Sequence, residues 1–195
     1  MFPCIDTWKH MKIKKIHQIG VKYKIMRISI IASMDKKRGI GKDNRIPWHI
    51  TKDLVRLKNL TIGHVTILGR KSFESMLAYY EKSGRSTMSQ RTHIVVTKDP
   101  NYVIEEKYGL VVNSIEEALR QAQGKLSSEE VFIIGGQQIF DQTIGIVDRL
   151  YLTIVDGGFN CDTFFPDYSQ FKKIISEEEC ESKEGHKYKF LTLER

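Results

Sequence analysis

Asp53 stands among residues that exclude water, in the stretch Ile46-Pro47-Trp48-His49-Ile50-Thr51-Lys52-Asp53-Leu54. Leu54, Leu57 and Leu60 follow at helical spacing, which predicts a helix capped by Thr51 with Asp53 in its first turn. Beside an indole and a leucine face a carboxylate is poorly solvated, so its acid form is favoured and its pKa rises. Such a group suits proton chemistry, or pairing with a cationic heterocycle, near neutral pH. A plainer reading competes: an acid in the first turn merely complements the helix dipole. Residues elsewhere decide between the two.

Three predicted strands end in residues that suit an anion. Val131-Phe132-Ile133-Ile134 runs into Gly135-Gly136, where the backbone can approach a phosphate as a helix over Gln137 to Gln142 begins. Val65-Thr66-Ile67-Leu68 ends in Gly69-Arg70-Lys71-Ser72, and the strand from Thr92 ends in Thr97-Lys98. One Gly-Gly pair is usually just a turn, and one lysine is usually solvated. Three such ends in one sheet point to an extended ligand with a pyrophosphate and a further phosphate, so to NADPH rather than NADH. No G-x-G-x-x-G follows the first strand, so the pattern is not the Rossmann fingerprint.

The elements that position these residues alternate. Arg27-Ile28-Ser29-Ile30-Ile31-Ala32 reads as a strand buried on both faces, Gly39 to Asn44 as a glycine-containing loop, and Arg70 to Leu77 as a helix. Glu81 to Gln90 is a polar stretch, Ser114 and Glu117 form a capping box, and Leu150 to Val155 is a further strand. Lys172 to Glu178 and His186 to Leu193 predict an antiparallel hairpin joined near Gly185. The expectation is a single α/β domain: a mainly parallel central β-sheet flanked by helices, with a C-terminal antiparallel hairpin.

The chain has 195 residues, 41% of them hydrophobic, enough for one sizeable core. Its net charge of +7 is concentrated in residues 1–25, which carry six lysines against Asp6 alone. That segment is expected to be a poorly ordered extension, or to lie upstream of the true start, with the domain over residues 26–195. Its lysines interrupt every apolar patch, so no secretory or spanning segment is predicted, and they imply only a salt-sensitive, non-specific contact with nucleic acid rather than a specific partner. Three cysteines without a CxxC pair, and six histidines without ligand spacing, imply a reducing cytoplasm and no metal.

The chain resembles the dihydrofolate reductase family. The match runs from Met26 almost to Arg195, through Ile31-Ala32, Gly39-Ile40-Gly41, Asn44, Pro47-Trp48, Asp53-Leu54, Gly69-Arg70, Arg91, Gly135-Gly136, Leu150-Tyr151-Leu152-Thr153, Asp162-Thr163 and Phe165-Pro166. The resemblance implies reduction of 7,8-dihydrofolate to tetrahydrofolate by hydride transfer from NADPH. Asp53 would then bind the pterin's 2-amino and ring N–H edge, supported by Thr153, with Trp48 holding an ordered water. The carbonyls of Ile31 and Ile134 would line the pocket, Leu54, Leu57 and Met76 would touch the rings, and Arg91 would clamp the glutamate tail's α-carboxylate. Ser33 and the loop Gly39, Ile40, Gly41, Asn44, Arg45 would cover the nicotinamide ribose, with Asn44 and Ile46 in a mobile closing loop. Gly69, Arg70, Lys71, Ser72, Thr97 and Lys98 would read the adenosine 2′-phosphate. Gly135, Gly136, Gln137, Gln138, Ile139 and Phe140 would hold the pyrophosphate. It further implies a cytoplasmic monomer, open to antifolate inhibitors and with no membrane partner.

The chain departs from the family pattern in places. Gln137 and Gln138 stand where a small residue and an arginine are common, Leu57 replaces an aromatic, and Lys98 adds a cation. The segment from Leu77 to Gln90 is long and lacks the usual Pro-Leu-Pro; Cys161 reads only as a small packed residue. Two alternatives compete: a pyrimidine reductase of riboflavin synthesis, which has no use for Asp53 or Arg91, and a nucleic-acid binder working through its basic leader.

Overall fold

A computed structural model of the chain describes residues 26–82, 84, 90–124 and 129–195. The expectations for residues 1–25, and most of the segment before Gln90, lie outside these.

β1 (Arg27–Asp35) runs through the middle of an eight-stranded sheet. β3 (Val65–Gly69), β4 (Thr92–Val96), β5 (Gly109–Val112), β6 (Glu130–Gly135) and β7 (Arg149–Val155) join it in parallel, in the order β5-β4-β3-β6-β1-β7. β10 (Lys187–Glu194) pairs antiparallel with β7, and β9 (Lys173–Glu181) closes the edge as the expected hairpin. The order reverses around β6, which inserts between β3 and β1. In open α/β sheets a crevice for ligands forms at such a point, at the carboxyl ends of the strands.

Alternation along β1 separates two faces. Ile28, Ile30, Ala32 and Met34 join the main core with Ala118, Leu119 and Ala122 of helix α3 (Ile115–Gly124) and with Ile139 and Phe140 of helix α4 (Gln137–Thr143). The other face carries Ile31 and Ser33 toward helix α1 (Thr51–Thr61). Helix α2 (Arg70–Lys82) packs Phe73 against Leu68 and Val95.

Several local expectations are corrected. Thr51 is the first residue of α1 rather than its cap; Ile50 occupies the cap position, with no side-chain cap bond. The reason is packing: Ile50 is buried with Trp48, Val155 and Tyr188, which fixes where the chain enters the helix. Gly39–Gly41 is a short strand, β2, paired with β8 (Thr163–Phe164), and not wholly a loop. α2 runs past Leu77 to Lys82, bringing Tyr79 and Tyr80 onto the helix. β5 went unpredicted because it opens on Gly109, at φ +139, where a Cβ would fall 1.8 Å from the His93 carbonyl oxygen. Only glycine lets these two strands close. Half of the capping box is present: Ser114 Oγ accepts the Glu117 N–H at 3.2 Å.

Candidate active site

Register assembles the centre of the site. Ser33 of β1 and Thr153 of β7 are direct partners, so both hydroxyls project from one row of the sheet toward α1. Asp53, three positions into α1, meets that row, and Thr153 Oγ1 donates to Asp53 Oδ1 at 2.5 Å. Burial pushes the Asp53 carboxyl above its ordinary value, outweighing the lowering by Thr153, by the Arg56 charge and by Ser33. The acid is therefore tuned as its surroundings in the sequence suggest, and the purely dipolar reading does not account for it.

Trp48 Nε1 donates to Ser33 Oγ at 2.9 Å. That bond joins two residues which the family resemblance gives to different ligands. Leu54, Leu57 and Leu60 are all half-buried, as befits a leucine face lining a cleft. A cavity of about 220 Å³ opens between α1 and α2, lined by Thr51, Leu54, Val55 and Lys58 with Tyr79, Tyr80 and His49. Met76 sits half-buried on the same helix, against the Phe73 cluster. Arg91 lies deep at the end of α1, where its Nε donates to Thr61 Oγ1 at 2.6 Å while Thr61 donates to the Leu57 carbonyl. Its planar guanidinium is thereby fixed in orientation.

The three anion-suited strand ends are neighbours. Gly69 pairs with Val96, which sets Arg70 beside Thr97, and Leu68 pairs with Gly135 on the other side. A Cβ on Gly136 would stand 3.0 Å from Ser72 Oγ, and one on Gly69 3.3 Å from Ile139 Cγ1. Without side chains these glycines let the strand ends approach Ser72 and Ile139 closely. Arg70 is braced by Glu74 at 3.1 Å and lies 5.7 Å from the Tyr102 ring; Lys98 Nζ donates to the Asn113 carbonyl at 2.9 Å. Lys71 is exposed. Gln137 Oε1 accepts the Phe164 N–H at 3.4 Å and Gln138 is exposed.

The segment after β2 is a tight turn. Lys42 and Arg45 exchange both backbone bonds at 2.9 Å, with Asp43 and Asn44 between them at φ +50 and +59. Such paired left-handed residues favour Asn and Asp. Asp162, absent from the sequence-derived site, fastens this turn: it accepts the Asp43 N–H at 3.0 Å and the Thr163 hydroxyl at 2.7 Å. Those bonds hold its carboxyl below the usual range. Asp162→Ala is expected to lower kcat about tenfold and to raise the cofactor's KM, since misplacing a covering loop disturbs both. Steady-state kinetics in both substrates checks this. Ile46 is 56% exposed beyond the turn. Cys161 packs against Gly39, its thiol raised chiefly by burial.

Among the described residues no group of three or more His, Cys, Asp or Glu could hold a metal ion, and no helix is long and apolar enough to cross a membrane.

Fold and site define an α/β enzyme with a desolvated carboxylate on the helix that faces the carboxyl-terminal half of the central strands. Residues 27–195 match the family model described as dihydrofolate reductase. The dihydrofolate reductase of Staphylococcus haemolyticus is 37% identical over 176 residues, covering 89% of this chain and 98% of that protein. That of Bacillus subtilis (strain 168) is 38% identical over 171 residues, covering 86% and 94%. A solved dihydrofolate reductase from Enterococcus faecalis, complexed with NADP(H) and RAB-propyl, superimposes with a TM-score of 0.72 at 32% identity, covering 87% of this chain and 96% of that one. The chain belongs to the dihydrofolate reductase family.

Proposed function

We infer that this protein reduces 7,8-dihydrofolate to 5,6,7,8-tetrahydrofolate with NADPH and so supplies tetrahydrofolate for one-carbon metabolism. The observation that carries the reading is the desolvated Asp53 carboxyl, gripped by Thr153 of the central sheet. Asp53 binds the 2-amino and ring N–H edge of the pterin, Thr153 orients the carboxylate, and the carbonyls of Ile31 and Ile134 line the pocket. Leu54, Leu57 and Met76 pack on the rings. Arg91, preset by Thr61, takes the α-carboxylate of the glutamate tail.

Gly135, Gly136 and Ser72 hold the pyrophosphate, with Ile139 and Phe140 forming the wall behind it. Arg70, Lys71, Thr97 and Lys98 read the 2′-phosphate, and Ser33 with the turn over Gly41, Asn44 and Arg45 covers the nicotinamide ribose. NADPH, when bound, supplies the hydride that pterin C6 receives. Asp53 promotes the accompanying protonation at N5 through the ring it binds, with water as the immediate donor. Trp48 fixes the Ser33 hydroxyl beside this centre, and the closed turn excludes bulk solvent. The enzyme works as a cytoplasmic monomer, with residues 1–25 outside the catalytic domain. The same pocket admits antifolate inhibitors.

NADPH deuterated at the transferred C4 position tests the reading. Tetrahydrofolate carrying one deuterium at C6 is the expected product. Label lost to solvent would overturn direct hydride transfer, and unreacted dihydrofolate with NADPH bound would overturn the reading and favour the pyrimidine reductase.

A further inference from the structure

Arg56 has no place in the site described so far, yet its contacts run through the centre of it. It lies three residues beyond Asp53 on α1, on the same side of the helix. Its Nη1 donates to the Leu152 carbonyl at 2.9 Å and its Nη2 to Thr192 Oγ1 at 3.3 Å. Its guanidinium carbon stands 4.5 Å from the centre of the Phe190 ring. In register, Ser33, Thr153, Phe190 and Glu178 form one row across β1, β7, β10 and β9. Asp53 is thus fixed to Thr153 while Arg56 is fixed to the adjoining Leu152 and to the ring of Phe190, so the helix is pinned to the sheet at consecutive residues of β7.

We propose that Arg56 is a positioning residue for the reduction: it clamps the Asp53-bearing turn onto β7 and β10 and sets the charge around the acid. This rests on the reading of Asp53 as the pterin-binding group. Facing Asp53 are Thr153 and Ser33 from the sheet, Arg56 from its own helix, and Tyr188 of β10 at longer range. Facing Arg56 are Asp53, Tyr151, Glu178 and Cys180. Arg56 is the cation acting on Asp53, and its charge favours the ionised acid. Removing it therefore raises the pH at which the site loses its proton. A lysine keeps the charge but has no fork to reach both Leu152 and Thr192.

The test is the pH profile of kcat/KM for dihydrofolate in the full chain, for wild type, Arg56→Gln and Arg56→Lys. In Arg56→Gln the limb that falls with rising pH is expected to move up by about half a unit or more, a fraction of what direct Arg–carboxylate contact gives. KM for NADPH should change less than about twofold. Arg56→Lys should return the limb toward wild type while kcat stays reduced. Arg56→Met, whose stem still covers Phe190, serves where Arg56→Gln does not fold. A uniform loss of rate at every pH, with the limb unmoved, would overturn the proposal and leave Arg56 a structural brace. A wild type that binds NADPH but leaves dihydrofolate unreduced would instead overturn the functional reading on which it rests.

Discussion

Asp53→Asn is expected to bind NADPH as the wild type does and to reduce dihydrofolate at least ~100-fold more slowly, the loss typical when a proton-chemistry group is removed. The amide keeps the shape of the carboxyl but can neither hold the site's proton nor carry the charge that faces the pterin once N5 is protonated. The residues proposed to bind the cofactor lie at the ends of the neighbouring strands β3, β4 and β6, away from the substitution. A second effect runs the other way. The folded-state pKa of Asp53 lies above its ordinary value of 3.8, so the folded protein holds this proton where the unfolded chain has lost it. Stability therefore falls as pH rises from the ordinary value through the raised one, and above that window a buried charge opposes folding. Asn removes that opposition, so ligand-free Asp53→Asn should melt higher than wild type at pH 8, by ~2–4 °C for each kcal/mol relieved. The gap should close toward pH 4. Thermal melts at the two pH values, beside stopped-flow turnover, check both halves. Wild-type turnover, or a lower melting temperature at pH 8, would contradict the account.

Gly136→Ala should weaken NADPH about tenfold or more, roughly 1.4 kcal/mol. Gly136 lies at φ −83, outside the left-handed region that favours glycine. The added methyl sits 3.0 Å from Ser72 Oγ, beside the hydroxyl proposed to hold the diphosphate. Fluorescence titration with NADPH measures the loss, and a melting temperature near wild type shows that it is not unfolding. Gly135→Ala is a poorer probe, because φ +119 there adds backbone strain of its own. Unchanged NADPH affinity in Gly136→Ala would place the pyrophosphate elsewhere.

Most of the parallel sheet was legible in the sequence because strands such as β1, β6 and β7 are near-continuous apolar runs. Ile28 to Ala32 and Val131 to Ile134 need no tertiary context to be recognised. Asp53 was legible for a related reason, since a lone acid between tryptophan and leucines is conspicuous in one dimension. What could not be read were features made by partners distant in sequence. β2 and β8 are too short to show a period and exist only because Gly39 and Gly41 meet Phe164 and Thr163. The start of α1 was misplaced because the burial of Ile50 against Tyr188, far along the chain, overrides a hydroxyl's capping preference. Arg56 carried a usable signal, its spacing from Asp53, but the bonds that give it meaning end on Leu152 and Thr192. Asp162 likewise shows its role only once it meets Asp43.

The most direct test of the central claim is the loss of reduced-nicotinamide absorbance when the purified protein meets dihydrofolate, with NADPH in one cuvette and NADH in the other. Rapid loss with NADPH and much slower loss with NADH is the predicted result, since the proposed function gives Arg70, Lys71 and Lys98 the 2′-phosphate that NADPH alone carries. Equal rates would contradict the assignment of those cations, and no loss despite bound NADPH would contradict the assignment of Asp53 to a pterin.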